Sequence, residues 1–129
     1  MLGGEPMIQA KGLSSLAVGA QRLGLSVMVF TGYTLEELQA DPLPGSEQLL
    51  AHTDVLVDGR YFAELPERHR AWVGSSNQRF HYLTDRYGPS IEYTDGGKQR
   101  VEVRLTGTGR VEVNGWPADT KPRRSRRVW

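Results

Sequence analysis

Two short apolar runs that each end near a glycine limit most strongly what this chain can fold into. The first is LSVMVF, which is followed by Thr31 and Gly32, and the second is DVLVD, which is followed by Gly59. Nearly unbroken apolar runs rich in β-branched residues are typical of strands buried on both faces, as in parallel sheets. Because helical patterns lie between the two runs, the sequence predicts β/α units with a parallel sheet.

Helices are predicted before and between the two apolar runs. Apolar residues recur at helical spacing from residue 7 to residue 23, which indicates an amphipathic helix. Thr34 and Glu37 have the spacing of a capping box, so a short helix is expected from there as far as Asp41. Ser46 is suited to cap a second short helix.

The sequence pattern changes in the second half of the chain. The run ERHR, residues 67–70, is interpreted as a solvated, charged connector. From residue 90 onward apolar and charged residues alternate, and segments 95–97 and 107–109 have the composition of hairpin turns. This part therefore predicts an antiparallel β-meander of three strands. The expected domains are an α/β domain at 1–85, the meander at 86–118 and a basic, disordered tail at 119–129.

The absence of cysteine from the chain excludes several kinds of chemistry. Disulfides, thiol catalysis, cysteine-ligated zinc and an iron–sulfur cluster held by this chain's own thiolates are all ruled out. His52, His69 and His81 are too scattered to form a metal-binding motif, so no metal ligand is predicted. No apolar run approaches the ~20 residues that span a membrane, and no signal peptide pattern heads the chain, so we expect a cytoplasmic location.

The net charge of +1 is unevenly distributed along the chain. Residues 121–129 carry five of the sixteen basic residues and no acidic one, which leaves the remainder with a formal charge of −4. A solvated terminus is one interpretation, and contacts to phosphates or to an acidic partner are the other. The segment shows no aromatic–basic interleaving and no helix-turn-helix pattern, so nucleic acid is not an expected partner.

Three glycine-containing junctions are candidates for a ligand site. They are Gly3-Gly4-Glu5, Thr31-Gly32-Tyr33 and Asp58-Gly59-Arg60. If each follows a parallel strand, all three lie on the carboxyl edge of the sheet, where α/β folds bind ligands. Glu5 and Asp58 then suit a ligand with an ammonium group or ribose hydroxyls. Spacing alone also allows ordinary βα turns.

Five segments in this order resemble a known family. The segments are GGEPM, GLSVMVFTGYTLEEL, LL, TDVLVDGRY and GSSNQR. Together they resemble the radical S-adenosylmethionine activating proteins of glycyl-radical enzymes, and most closely the small activators of anaerobic ribonucleotide reductase. The resemblance covers residues 1–85, and it implies an incomplete (β/α) barrel of parallel strands with helices.

The resemblance implies roles for two groups of residues. In the first group Gly3 and Gly4 offer backbone groups to S-adenosylmethionine, Glu5 neutralises its ammonium group, and Pro6 fixes the start of the helix. Thr31 and Asp58 line the same cavity. The second group lies in the GSSNQR segment and makes a nucleoside or partner contact, or else forms a hydrogen-bonded structural loop. Its members are Ser75, Ser76, Asn77, Gln78 and Arg79.

The resemblance also implies a 4Fe-4S cluster that this chain cannot ligate. In the family a Cys-x3-Cys-x2-Cys loop upstream of Gly-Gly-Glu-Pro holds the cluster, which reduces S-adenosylmethionine to give a 5′-deoxyadenosyl radical. We therefore expect this sequence to be the carboxyl-terminal portion of an activator, with a glycyl-radical enzyme as partner and no radical catalysis alone. The alternative hypothesis is a non-catalytic interaction protein that retains the fold.

Overall fold

The structure is a computed structural model that describes residues 4–93 and the backbone of residues 101–105 and 111–115. Residues 5–93 form one compact unit, and the two later strands belong to a second. In the first unit the elements are α1 (Ala10–Arg22), β1 (Met28–Phe30), α2 (Leu35–Ala40), α3 (Ser46–Ala51), β2 (Val55–Asp58), β3 (Arg79–Tyr82) and a 3-10 helix (Pro89–Tyr93). The second unit contains β4 (Val101–Leu105) and β5 (Val111–Gly115).

The first unit is built on a three-stranded mixed sheet in the order β1-β2-β3. Strands β1 and β2 are parallel, and Val29 pairs with Leu56. The predicted parallel pairing of the two apolar runs is therefore confirmed, and the incomplete barrel stays a prediction. Strand β3 runs antiparallel to β2 with Asp58 opposite Arg79. No strand was predicted there, because RFHY alternates too weakly to be distinguished from a loop.

The hydrophobic core lies under the helices that connect the strands. All four residues of β2 are buried, as a central strand requires. Met7, Leu49 and Leu56 are at most 2% exposed and belong to one apolar cluster. Burial of this apolar surface stabilises the unit by about 1.5–3 kcal/mol for each such side chain. Thr34 caps α2 through a complete capping box, as predicted.

The start of α3 differs from the prediction by one residue. Gly45, not Ser46, occupies the cap position, with a φ of +82° that favours glycine. A Cβ atom at this position would lie 2.5 Å from the backbone nitrogen of Lys11. Glycine is therefore required at position 45 for two reasons. The backbone there is left-handed, and α3 starts directly against α1. Ser46 is the first residue of the helix and caps nothing.

The predicted meander is wrong in its first strand. Residues 89–93 form a 3-10 helix instead. The hydroxyl group of Tyr82 donates to the Glu92 carboxylate at 2.6 Å, which ties this short segment to β3. Strands β4 and β5 do form an antiparallel pair, with Val103 opposite Val113. The predicted turns at 95–97 and 107–109 and the tail at 119–129 lie outside the described residues.

The boundaries of the predicted domains stay predictions. The first compact unit continues to Tyr93, beyond the boundary expected after residue 85. In the part of the chain that the structure describes, no helix has the length and apolar character needed to cross a membrane.

Candidate functional site

The first two junctions meet at the carboxylate of Glu5. Its Oε1 accepts hydrogen bonds from the hydroxyl group of Thr31 at 2.5 Å and from the backbone N–H of Met7 at 3.1 Å. Its Oε2 accepts from the backbone N–H of Gly32 at 2.9 Å. Thr31 is fixed in turn by β2, because its N–H donates to the carbonyl of Val57. The structure thus brings Glu5 and Thr31 together, as the edge of a parallel sheet predicts.

A cavity of about 220 Å³ opens beside this carboxylate. Glu5, Gly32, Tyr33 and Arg60 line it. A carboxylate accepts about four hydrogen bonds, and the chain itself supplies three, so Glu5 keeps one acceptor position for a ligand. The guanidinium group of Arg60 makes no hydrogen bond or ion pair with any residue that the structure describes. The cavity therefore presents an anchored anion and a free cation.

Asp58 is committed to contacts within the fold. Its side chain is fully buried. Oδ2 accepts from the N–H of Leu35 at 2.7 Å and from Nη2 of Arg79 at 2.6 Å, and Nε2 of His81 lies 2.9 Å away. Oδ1 accepts from Nε of Arg79 at 3.0 Å. Asp58 does not line the cavity beside Glu5.

The electrostatics of this cluster favour the charged carboxylates. Burial raises the pKa of Asp58, but the hydrogen bonds from Arg79, Leu35 and His81 outweigh it and leave the pKa below its ordinary value. Arg79 also donates to Glu36 at 3.1 and 2.6 Å, which lowers the pKa of Glu36 to about 2. Hydrogen bonds to the carboxylates of Glu36 and Asp58 raise the pKa of Arg79. Arg79 is thus a cation already paired on both sides.

A second cavity of about 420 Å³ shares two lining residues, Gly32 and Arg60, with the first. Its other lining residues are Thr34, Glu37, Gly59, Phe62, Asn77 and Arg79. The structure therefore places two residues of the predicted contact segment, Asn77 and Arg79, on the wall of a cavity next to Glu5.

The rest of that segment has the contacts of a structural loop. Ser75 is fully buried, and its Oγ accepts from the N–H of Phe62 at 3.2 Å. Oε1 of Gln78 accepts from the N–H groups of Gly74 at 2.9 Å and Ser75 at 3.1 Å. The side chain of Ser76 is exposed. Both predicted interpretations of the segment, a ligand contact and a structural loop, therefore have support, but from different residues.

The charged run ERHR was predicted to be a solvated connector, and this holds only for Arg68 and His69, which are exposed, whereas Glu67 and Arg70 support this loop. The side chain of Glu67 is only 7% exposed. Its Oε1 accepts from three successive backbone N–H groups, those of Arg68, His69 and Arg70, at 2.9–3.1 Å. Arg70 donates to Glu67 and to the carbonyls of Gln78 at 2.9 Å and Ser76 at 3.1 Å. A run of four polar residues therefore contains a buried carboxylate and its partner.

Acidification is expected to destabilise this arrangement. Backbone N–H groups of His69 and Arg70, with the Arg70 side chain, lower the pKa of Glu67 from 4.5 to about 2. A carboxyl whose pKa is lowered on folding contributes stability above its unfolded value and loses it as the pH falls through the folded value. We expect the midpoint temperature of thermal unfolding, measured by circular dichroism, to decrease as the pH is lowered from about 4.5 to about 2. Glu67→Gln should show a lower midpoint at pH 7 and a flatter profile, and an unchanged profile would contradict this assignment.

The remaining predicted site residues lie as follows. Gly4 is exposed and precedes Glu5 directly, and Gly3 lies outside the described residues. Pro6 begins a turn before α1 and does not start the helix itself, because its carbonyl accepts from the N–H of Gln9 at 3.1 Å. Arg60 was the residue that sequence reasoning missed. Arg60 belongs to the third junction, Asp58-Gly59-Arg60, but the sequence pattern assigned only Asp58 of this junction to a ligand.

The residues present do not fit an iron–sulfur cluster. The chain has no cysteine. Within residues 4–93, no three histidine, aspartate or glutamate side chains are grouped so that they could hold a metal ion. The charged side chains that the structure does bring to the first cavity are those of Glu5 and Arg60.

Comparisons with known proteins agree on one family. A family model described as a 4Fe-4S single cluster domain matches residues 1–81. The anaerobic ribonucleoside-triphosphate reductase-activating protein of Pasteurella multocida is 34% identical over 89 residues, which are 65% of this chain and 54% of that protein. The proteins of the same name from Vibrio cholerae and Escherichia coli are 37% and 34% identical over 64% and 63% of this chain, and 53% of each of them.

The chain spans about half the length of these curated relatives. No solved structure was found to match it.

Proposed function

The chain belongs to the 4Fe-4S single cluster domain family, and on that premise we propose that it is the S-adenosylmethionine-binding part of an anaerobic ribonucleoside-triphosphate reductase-activating protein. The names of the relatives support the choice of activator. Activation of a reductase partner, with its radical chemistry, is proposed for the whole protein only. No step of it is assigned to a cluster held by this chain, because the chain has no cysteine.

The observation that carries the proposal is the pair of opposite charges on the first cavity. S-adenosylmethionine ends in an ammonium group and a carboxylate on one carbon. Glu5 offers its remaining acceptor position to the ammonium group, and the free guanidinium of Arg60 faces the carboxylate. Bonds of this charge-assisted kind each contribute about 1.5–3 kcal/mol. The arrangement therefore selects a zwitterionic α-amino acid end.

The nucleoside end is proposed to occupy the second cavity. This cavity is larger and is reached past Gly32 and Arg60, which line both. Phe62 is 45% exposed and lines it, so its ring offers a face on which a base can stack. Ser75 and Gln78 keep the supporting loop in place.

The proposed fold and location follow the same family. We propose that β1 and β2 are neighbouring strands of an incomplete (β/α) barrel, supported by their parallel pairing and by the helices between them. The antiparallel strand β3 lies on the other side of β2. Further parallel strands of such a barrel would therefore pair with β1. A cytoplasmic location is part of the proposal.

Arg60→Ala is the first test of the cofactor site. We expect it to weaken S-adenosylmethionine binding at least tenfold by isothermal titration calorimetry, because a charge-assisted hydrogen bond to the carboxylate is lost. Arg68→Ala is a matched control, since Arg68 is exposed and lines neither cavity. Equal affinity of Arg60→Ala and the unaltered protein would contradict the carboxylate contact. Absence of saturable binding by the unaltered protein would contradict the proposed function.

A second candidate function, that of a non-catalytic interaction protein, has one observation in its favour. Tyr61, Phe62 and Leu65 are 62%, 45% and 45% exposed in the connection between β2 and β3. Exposed apolar side chains close together are typical of protein contacts. This candidate expects a reductase complex that forms equally well with Glu5→Ala, whereas the cofactor-binding proposal expects that substitution to abolish the response to S-adenosylmethionine.

A further inference from the structure

We propose that Asn77 is a positioning residue that sets the affinity for the cofactor's carboxylate by holding the backbone of Arg60. The inference rests on the proposed function. Nδ2 of Asn77 donates to the carbonyl oxygen of Arg60 at 2.8 Å. Among the residues described, that carbonyl accepts no other hydrogen bond. The side-chain amide of Asn77 is thus the fixed point for the turn that carries the free cation.

The turn needs such support because regular strand pairing ends just before it. Strand β2 ends at Asp58, and Gly59 follows with a φ of +101°. The N–H of Gly59 donates to the carbonyl of Tyr33 at 3.2 Å, which holds the turn on the β1 side. Asn77 holds it on the opposite side, where Nε2 of Gln78 also donates to the carbonyl of Gly59 at 3.4 Å. These bonds set the position of Arg60 Cα, and with it the direction from which the guanidinium group reaches the cavities.

Asn77 can serve as a fixed point because its own loop is anchored on both flanks. On one flank the N–H of Ser76 donates to the carbonyl of Leu65 at 2.7 Å. On the other, Arg70 donates to the carbonyl of Gln78, and Glu67 holds Arg70. Displacement of Asn77 therefore requires the ion pair of Glu67 and Arg70 to move as well. Oδ1 of Asn77 is buried without a hydrogen-bond partner in the described part of the chain, so only the Nδ2 group is committed.

The alternative role for Asn77 is a direct contact with the nucleoside, because Asn77 lines the second cavity. The two roles differ in which part of the ligand senses the substitution. A positioning role through Arg60 affects only ligands that carry the carboxylate. A direct contact with the nucleoside affects every ligand that carries the adenosyl group.

The experiment compares S-adenosylmethionine with decarboxylated S-adenosylmethionine, which keeps the sulfonium, the amine and the adenosyl group. The complete chain is titrated with each by calorimetry. We expect the unaltered protein to prefer S-adenosylmethionine about tenfold or more. Asn77→Ala should lose most of this preference through weaker binding of S-adenosylmethionine, and bind the decarboxylated ligand within about twofold of the unaltered protein. Gln48→Ala removes an exposed side-chain amide that lines neither cavity, so it is the control and should keep the preference.

The double variant Arg60→Ala/Asn77→Ala separates positioning from a general loss of structure. If Asn77 acts through Arg60, the double variant binds S-adenosylmethionine no more weakly than Arg60→Ala alone. Equal weakening of both ligands by Asn77→Ala, or an unchanged preference, would overturn the inference. If the unaltered protein does not distinguish the two ligands, the carboxylate contact of Arg60 fails first, and if it binds neither, the proposed function fails.

Discussion

Replacing Asp58 by alanine is expected to lower the free energy of unfolding by about 3 kcal/mol, at the low end of the range for breaking a buried ion pair. The low end applies because Arg79 is 45% exposed and keeps Glu36 as a partner. The N–H of Leu35 loses its acceptor at the same time, and Nε2 of His81 loses the carboxylate that lies 2.9 Å away. Urea denaturation followed by circular dichroism measures the change.

Two comparisons make this result specific to the buried cluster. Asp85→Ala removes an exposed carboxylate and should stay within about 0.5 kcal/mol of the unaltered protein. In a double-mutant cycle, Asp58→Ala and Arg79→Ala should be clearly non-additive, because each removes the partner of the other. If Asp58→Ala were to keep full stability but lose S-adenosylmethionine binding, the cluster would not be structural. The residue would then act as a cofactor ligand, as the sequence analysis predicted.

The two roles considered for Asp58 show where sequence reasoning stops. The apolar run VLV predicts a buried strand, and Asp58, the residue that ends this strand, is expected at the carboxyl edge of the sheet. Which way that last side chain points depends on its cross-strand neighbour. That neighbour is Arg79 on β3, which follows 21 residues later. No strand was predicted at RFHY, so nothing in the sequence placed a guanidinium opposite this carboxylate.

Local rules were sufficient where a feature depends on near neighbours in sequence. The capping box of Thr34 and Glu37 spans four residues, and it is present as predicted. The ERHR run shows the opposite case. Its charged residues suggest exposure to solvent, but the side chain of Glu67 is buried because the N–H groups of the same turn and Arg70 satisfy it. Polarity alone therefore does not predict exposure when a carboxylate and its donors lie within one turn.

Loss of cofactor binding is the expected result of Glu5→Gln. The substitution removes the negative charge that faces the ligand's ammonium group. It also sets an amide N–H₂ or a neutral oxygen against the N–H of Gly32, which now donates to the carboxylate at 2.9 Å. Loss of one charge-assisted bond corresponds to about 10- to 150-fold in affinity. Calorimetry with S-adenosylmethionine measures it, with Glu64→Gln as the control, since Glu64 is exposed and lines neither cavity.

Thr31 allows the charge of Glu5 to be separated from its orientation. The hydroxyl of Thr31 donates to Oε1 of Glu5, and it also accepts from the N–H of Tyr33 at 3.2 Å. Thr31→Val keeps the charge but frees the carboxylate to rotate, so we expect a smaller loss than for Glu5→Gln, and Thr31→Ser should bind normally. Methylthioadenosine carries no ammonium group and should bind all four proteins equally. If Glu5→Gln loses affinity for methylthioadenosine as strongly as for S-adenosylmethionine, the substitution collapses the cavity. Unaltered binding of S-adenosylmethionine would mean that Glu5 holds the two turns together without touching the cofactor.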